Sequence, residues 1–162
     1  MNIRKVLFIV LVIIWMLIIF YFSHQQGTGS SNTSKKVSIV IVNIIDAKNK
    51  ITQEQKEQML NILEPILRKL AHYILYIIGG ILIINSVNAY IKEDNKNTIY
   101  SAYIGIIYAV SDEIHQLFIN GRSGKVADVI IDSIGIFTGI AIYMLMKKII
   151  DKIVDRKCKG SE

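Results

Sequence analysis

One cysteine and one proline in 162 residues remove whole classes of protein at the outset. The lone Cys158 excludes an intramolecular disulfide framework, and a cysteine-based zinc site would need clustered partners that are missing. A single proline, Pro65, with only 20% charged residues excludes a disordered chain. Basic residues outnumber acidic ones, 19 to 13, giving a formal net charge of +6. They flank apolar segments, however, which is the membrane pattern and argues against nucleic acid as a partner. No internal repeat is visible. What fills the chain is apolar: 52% hydrophobic residues and a mean hydropathy of +0.42, too greasy for a soluble domain of this size.

That apolar content falls into four runs, at about 6–22, 71–87, 98–118 and 126–146. Each is close to the ~20 residues that a helix needs to cross ~30 Å of hydrocarbon. The first follows Arg4-Lys5, and Ser23-His24-Gln25-Gln26 after it offers no small-x-small cleavage site, so a retained anchor is expected. With four spans, Arg4 and Lys5, Lys92 and Lys96, and the tail from Lys147 to Lys159 all fall on one side, which is therefore cytoplasmic. The expected fold is all-α: one polytopic membrane domain over 1–162, multi-pass in the cell membrane, both termini cytoplasmic, with an extracytoplasmic loop over 23–69. Within that loop, Gly27 to Ser34 is Gly/Ser/Thr-rich and predicted flexible, and Lys36 to Ile45 a short surface helix. Thr52 opens a capping box with Gln55 before an amphipathic run through Leu60, Leu63 and Leu67, which Pro65 is predicted to kink.

This topology gathers the polar residues of the later spans at one membrane face. At 1.5 Å per residue, Asp112 lies ~9 Å before Phe118 and Asp132 ~9 Å beyond Val126, so they reach similar depth. Arg68, His72 and Tyr76 share a helical face, as do Asp128, Asp132, Gly135 and Gly139. Asp112 shares one with His115 and Gln116, while Glu113 points about a quarter-turn away. Ionisable groups at hydrocarbon depth are costly and rarely lack a partner or a task. The candidate ligand-binding set is accordingly Arg68, His72, Tyr76, Asp112, Glu113, His115, Gln116, Arg122, Asp128 and Asp132. Gly135 and Gly139, a G-x-x-x-G, together with the row Ser101, Gly105 and Ala109, read as packing surfaces, with Gly135 and Gly139 also a possible oligomer contact.

Three readings of the polar cluster stand side by side. Asp112, Asp128 or Asp132 could pair with Arg122 or Arg68 and simply lock helix ends, as buried ions require. Arg68, Lys69 and Arg122 could instead grip the phosphate of a membrane lipid or lipid-linked envelope intermediate. Or the site could be catalytic, with His72 or His115 as general base beside Asp112 or Asp132. A metal variant would use His115, Asp112 and Asp132, but no H-x-x-x-H or H-E-x-x-H is present, and no metal or cofactor is expected. Ser111 and Ser123 lack the nucleophile elbow. His24 reads as a surface residue, Trp15 as lipid-facing or packing, and Tyr21, Tyr73 and Tyr76 as an interfacial belt.

The order and spacing of these residues resemble the VanZ-like family of Gram-positive membrane proteins. The resemblance runs through Phe22-Ser23-x-Gln25, Arg68-Lys69-Leu70-Ala71-His72-x-x-x-Tyr76 and Tyr108-Ala109-x-Ser111-Asp112-Glu113-x-His115-Gln116-Leu117-Phe118. It continues through Gly121-Arg122-Ser123-Gly124 and Asp128-x-x-x-Asp132-x-x-Gly135. Two positions depart from it: Leu75, where the family often has Glu, and Asn120, where it often has Pro. The resemblance implies an integral membrane protein whose namesake lowers susceptibility to the glycopeptide teicoplanin, and it implies no particular reaction. Non-catalytic regulation of another membrane protein through helix packing stays open beside lipid recognition and lipid chemistry.

Overall fold

The computed structural model describes residues 3–24, 27–46, 51–91, 93–120 and 124–159, and among these it is all-helical. The helices are α1 (Ile3–His24), α2 (Gly27–Ile45), α3 (Gln53–Asn88), α4 (Asp94–Gln116) and α5 (Val126–Lys159). α3 is the hub and touches each of the others. Its start is set as the sequence predicts: Gln55 N–H donates to Thr52 Oγ1 at 3.3 Å, and the Gln55 side chain accepts from Thr52 N–H at 3.0 Å. The helix then runs unbroken through Pro65 into the apolar segment. The stretch predicted to be flexible from Gly27 forms instead the first turns of α2. α2 packs along α3 with Ser38 and Val42 buried, and Asp46 just beyond its end is buried too.

Among the described residues, three helices are long and apolar enough to cross a membrane: α1, α3 and the 126–156 part of α5, with segment hydropathies of 3.0, 1.9 and 2.0. α4, expected as the third of four spans, is not among them, and its burial pattern gives the reason. Asn97, Ser101, Asp112, Glu113 and Gln116 are buried, whereas Ile99, Tyr103, Ile107, Val110 and Ile114 are exposed. Much of what lowers its hydropathy beyond the first turn, Ser101, Asp112, Glu113 and Gln116, faces the bundle interior, and the large side chains it presents outward are mostly apolar. That is the reverse of a soluble amphipathic helix. The same outward apolar surface continues over Leu17 and Phe20 on α1 and Ile130, Ile134 and Phe137 on α5. These exposed faces, with the apolar length of three helices, make this a membrane protein.

Close helix approach depends on glycine. A Cβ at Gly139 would run into the Ile77 carbonyl of α3 and the backbone of Gly80, and one at Gly135 would meet Tyr73 and Tyr76. Gly135 and Gly139 are thus buried against α3 of their own chain, and that row packs the bundle. Trp15 settles on the packing side of its two readings: it is buried over Gly79 and donates Nε1–H to the Leu75 carbonyl at 2.8 Å. Tyr108 closes the same seam by donating its hydroxyl to the Met16 carbonyl at 2.5 Å. Tyr76, expected in an interfacial belt, is instead fully buried, edge-on to Trp15 with ring centroids 5.7 Å apart.

Candidate functional site

The end of α1, the middle of α3, the end of α4 and the start of α5 meet at one end of the bundle, and their polar residues meet with them. Helical geometry decides which do. With about 100° per residue, Gln116 lies between Asp112 and Glu113 around α4, while His115 falls on the far side of Asp112. Asp112, Glu113 and Gln116 are accordingly all buried. The Gln116 amide donates to Asp112 Oδ2 and to Glu113 Oε1, both at 3.1 Å. Ser23, from the last turn of α1, donates its hydroxyl to the same Asp112 oxygen at 2.8 Å. Glu113 Oε2 accepts from Lys125 N–H at 2.8 Å, tying α4 to the chain entering α5.

His115 leaves the cluster. Its ring stacks on Phe20 with centroids 4.3 Å apart, and its Nε2 stands 3.4 Å from Nδ1 of His24. The grouping of His115 with Asp112 and Asp132 is therefore replaced by one with His72. His72 Nδ1 lies 4.0 Å from Asp132 Oδ2, and donor atoms of His72, Asp112 and Asp132 all lie within 4.8 Å of one another. Asp132 is 1% exposed and Asp112 3%. Tyr76, one turn beyond His72, contributes a buried hydroxyl that is without a hydrogen-bond partner among the described residues.

Beside these groups is a small cavity of about 20 Å³, room for about one water molecule. His72, Asp132, Glu113 and Gln116 line it, and Arg68, Lys69 and Asp128 complete its rim. Lys69 and Asp128 form an ion pair at 2.7 Å, so the helix-locking role proposed for arginine falls in part to lysine. Among the described residues, Arg68 forms no ion pair. Arg122 lies outside the described residues.

Sequence reasoning misses Ser23 as a member of this site. Its signal was its position: the last turn of a helix that ends where the others turn acidic. The arrangement as a whole offers one imidazole between two buried carboxylates, with a guanidinium and an ammonium at the rim. Such a constellation can hold a cation, orient a water, or present positive charge to a phosphate from the side.

The VanZ/LLP1 family model matches residues 8–147. That stretch contains every site residue above and all of α3 and α4. No curated protein and no solved structure matches.

Proposed function

The chain belongs to the VanZ/LLP1 family, and from that premise we propose that it is a four-span protein of the cell envelope that receives the phosphate-bearing headgroup of a membrane lipid or lipid-linked intermediate. α4 is the third span in chain order and completes the four, its apolar face toward lipid. Both termini are cytoplasmic and the site faces outward. The observation that carries the reading is the placing of Arg68, half-buried and without an ion pair among the described residues, at the rim of a cavity within the apolar bundle. A guanidinium there matches a phosphate with paired donors. The cavity admits about one water and not a headgroup, so the lipid lies along the helices with its phosphate at the rim.

A second reading comes from His72, whose ring nitrogen sits 4.0 Å from the Asp132 carboxylate. An imidazole oriented beside a carboxylate is the arrangement of a general base. In this reading His72 takes a proton from a water whose oxygen bonds to phosphorus, the ester P–O bond breaks, and the protonated imidazole returns the proton to the departing alcohol oxygen. The family resemblance adds an expected consequence for the cell, lowered susceptibility to teicoplanin.

The test is the lipid that travels with the purified protein. Extracts from wild type, Arg68→Gln and His72→Gln, at matched amounts of folded protein, are compared by lipid mass spectrometry. Recognition requires an enriched phospholipid or lipid-linked phosphate that Arg68→Gln loses and His72→Gln keeps. Enrichment equal to bulk membrane in wild type sinks it. Release of phosphate or headgroup by wild type but not His72→Gln favours the enzyme.

A further inference from the structure

We propose that His72, Asp112 and Asp132 form a binding site for one divalent transition-metal cation, held between α3, α4 and α5. The donor atoms converge from three helices to within 4.8 Å of one another. A zinc ion with ligands at about 2.1 Å spaces them by about 3.4 Å in a tetrahedral site.

The charge balance points the same way. Two carboxylates of 3% and 1% exposure stand side by side, and among the described residues neither pairs with lysine or arginine. Lys69, the nearest candidate, is engaged by Asp128. Asp112 Oδ1 and Asp132 Oδ2 are buried without a hydrogen-bond partner. Desolvated carboxylate oxygens left open in this way are costly unless a cation or proton joins them.

The surroundings have the character of a metal's outer shell. Ser23 and Gln116 hold Asp112 by Oδ2 and leave Oδ1 open. The hydroxyl of Tyr76, one helical turn beyond His72, is fully buried and without a hydrogen-bond partner among the described residues. The adjoining cavity of about 20 Å³ is the size of one water.

One nitrogen and two oxygen donors, with no sulfur, suit zinc or manganese. Three protein ligands leave coordination positions open, as in metal sites that bind or activate something further. A cation here would also answer an electrostatic difficulty of the lipid reading, because bare carboxylates repel phosphate. The metal inference itself rests on the side chains alone.

The experiment uses the full chain in detergent, purified through a tag without histidines and stripped with EDTA. Manganese uptake is followed by electron paramagnetic resonance and zinc uptake by elemental analysis. Wild type and Asp151→Asn, a carboxylate far along α5, should take up one equivalent. His72→Gln and Asp132→Asn should bind at least ten-fold more weakly. Should a variant fail to fold, X-ray absorption of the zinc-loaded wild type decides, with a shell of oxygen and one imidazole expected. No saturable uptake by wild type, equal affinity in folded variants, or a shell without imidazole overturns the proposal. Metal uptake without lipid enrichment overturns the lipid reading alone.

Discussion

Ser23 on α1 donates its hydroxyl to Asp112 on α4 at 2.8 Å, across 89 residues of chain. This bond fixes the anchor helix to the acidic cluster. Removing it by Ser23→Ala takes one donor from a buried carboxylate that already has an open oxygen. Hydrogen bonds within membrane bundles are worth about 0.6 kcal/mol on average and up to about 1.7. A charged acceptor places this one toward the upper end, so a loss of about 1–1.5 kcal/mol is expected. Thermal unfolding in detergent measures it, and an unchanged midpoint would show that the contact contributes nothing.

Gly139→Ala should be the more damaging of two small changes. Its new Cβ meets backbone, the Ile77 carbonyl and Gly80, whereas the nearest atoms to a Cβ at Gly105 belong to the Ile136 side chain. Overpacking of this kind costs about 1–3 kcal/mol. The midpoint of heat-induced loss of the monodisperse peak in detergent should fall further for Gly139→Ala than for Gly105→Ala. The opposite order would mean that α3 and α5 do not pack as described.

Trp15 is the chain's single tryptophan, so its fluorescence reports one position. At 3% exposure, with its N–H donated to Leu75, it should emit to the blue of indole in water and resist iodide quenching. Emission from a quenchable, water-exposed ring would contradict the seam between α1 and α3.

The orientation is tested by single cysteines at Asn95 and Asn120 in a Cys158→Ser background. Both positions are exposed, at opposite ends of α4. An impermeant thiol reagent should label position 120 in whole cells and position 95 only after permeabilisation. The reverse pattern would place the polar site on the cytoplasmic side.

Much of this was legible in the chain because it depends on short-range pattern. The Thr52–Gln55 box, the apolar runs of α1, α3 and α5, and the shared face of Asp128 and Asp132 all follow from helical spacing. The membership of the site was less so. Asp112 and His115 are three apart and look like neighbours, yet the buried arc of α4 is centred on Gln116, and His115 turns out to Phe20 and His24. Choosing between those arcs requires knowing where α1 and α3 pack. Tyr76 misleads for the same reason, since its place against Trp15 depends on a helix more than fifty residues away. The hydropathy of α4 conceals its outward apolar face because an average does not record which side a polar residue occupies.

The central claim is that the buried polar cluster works and does not merely pack. Teicoplanin susceptibility of a sensitive Gram-positive host tests it most directly, comparing wild type with His72→Gln, Asp112→Asn and Asp132→Asn at matched levels of folded protein in the membrane. The account predicts protection by wild type and its loss in the variants. Folded variants that protect as well as wild type, or a wild type that gives no protection, would contradict it.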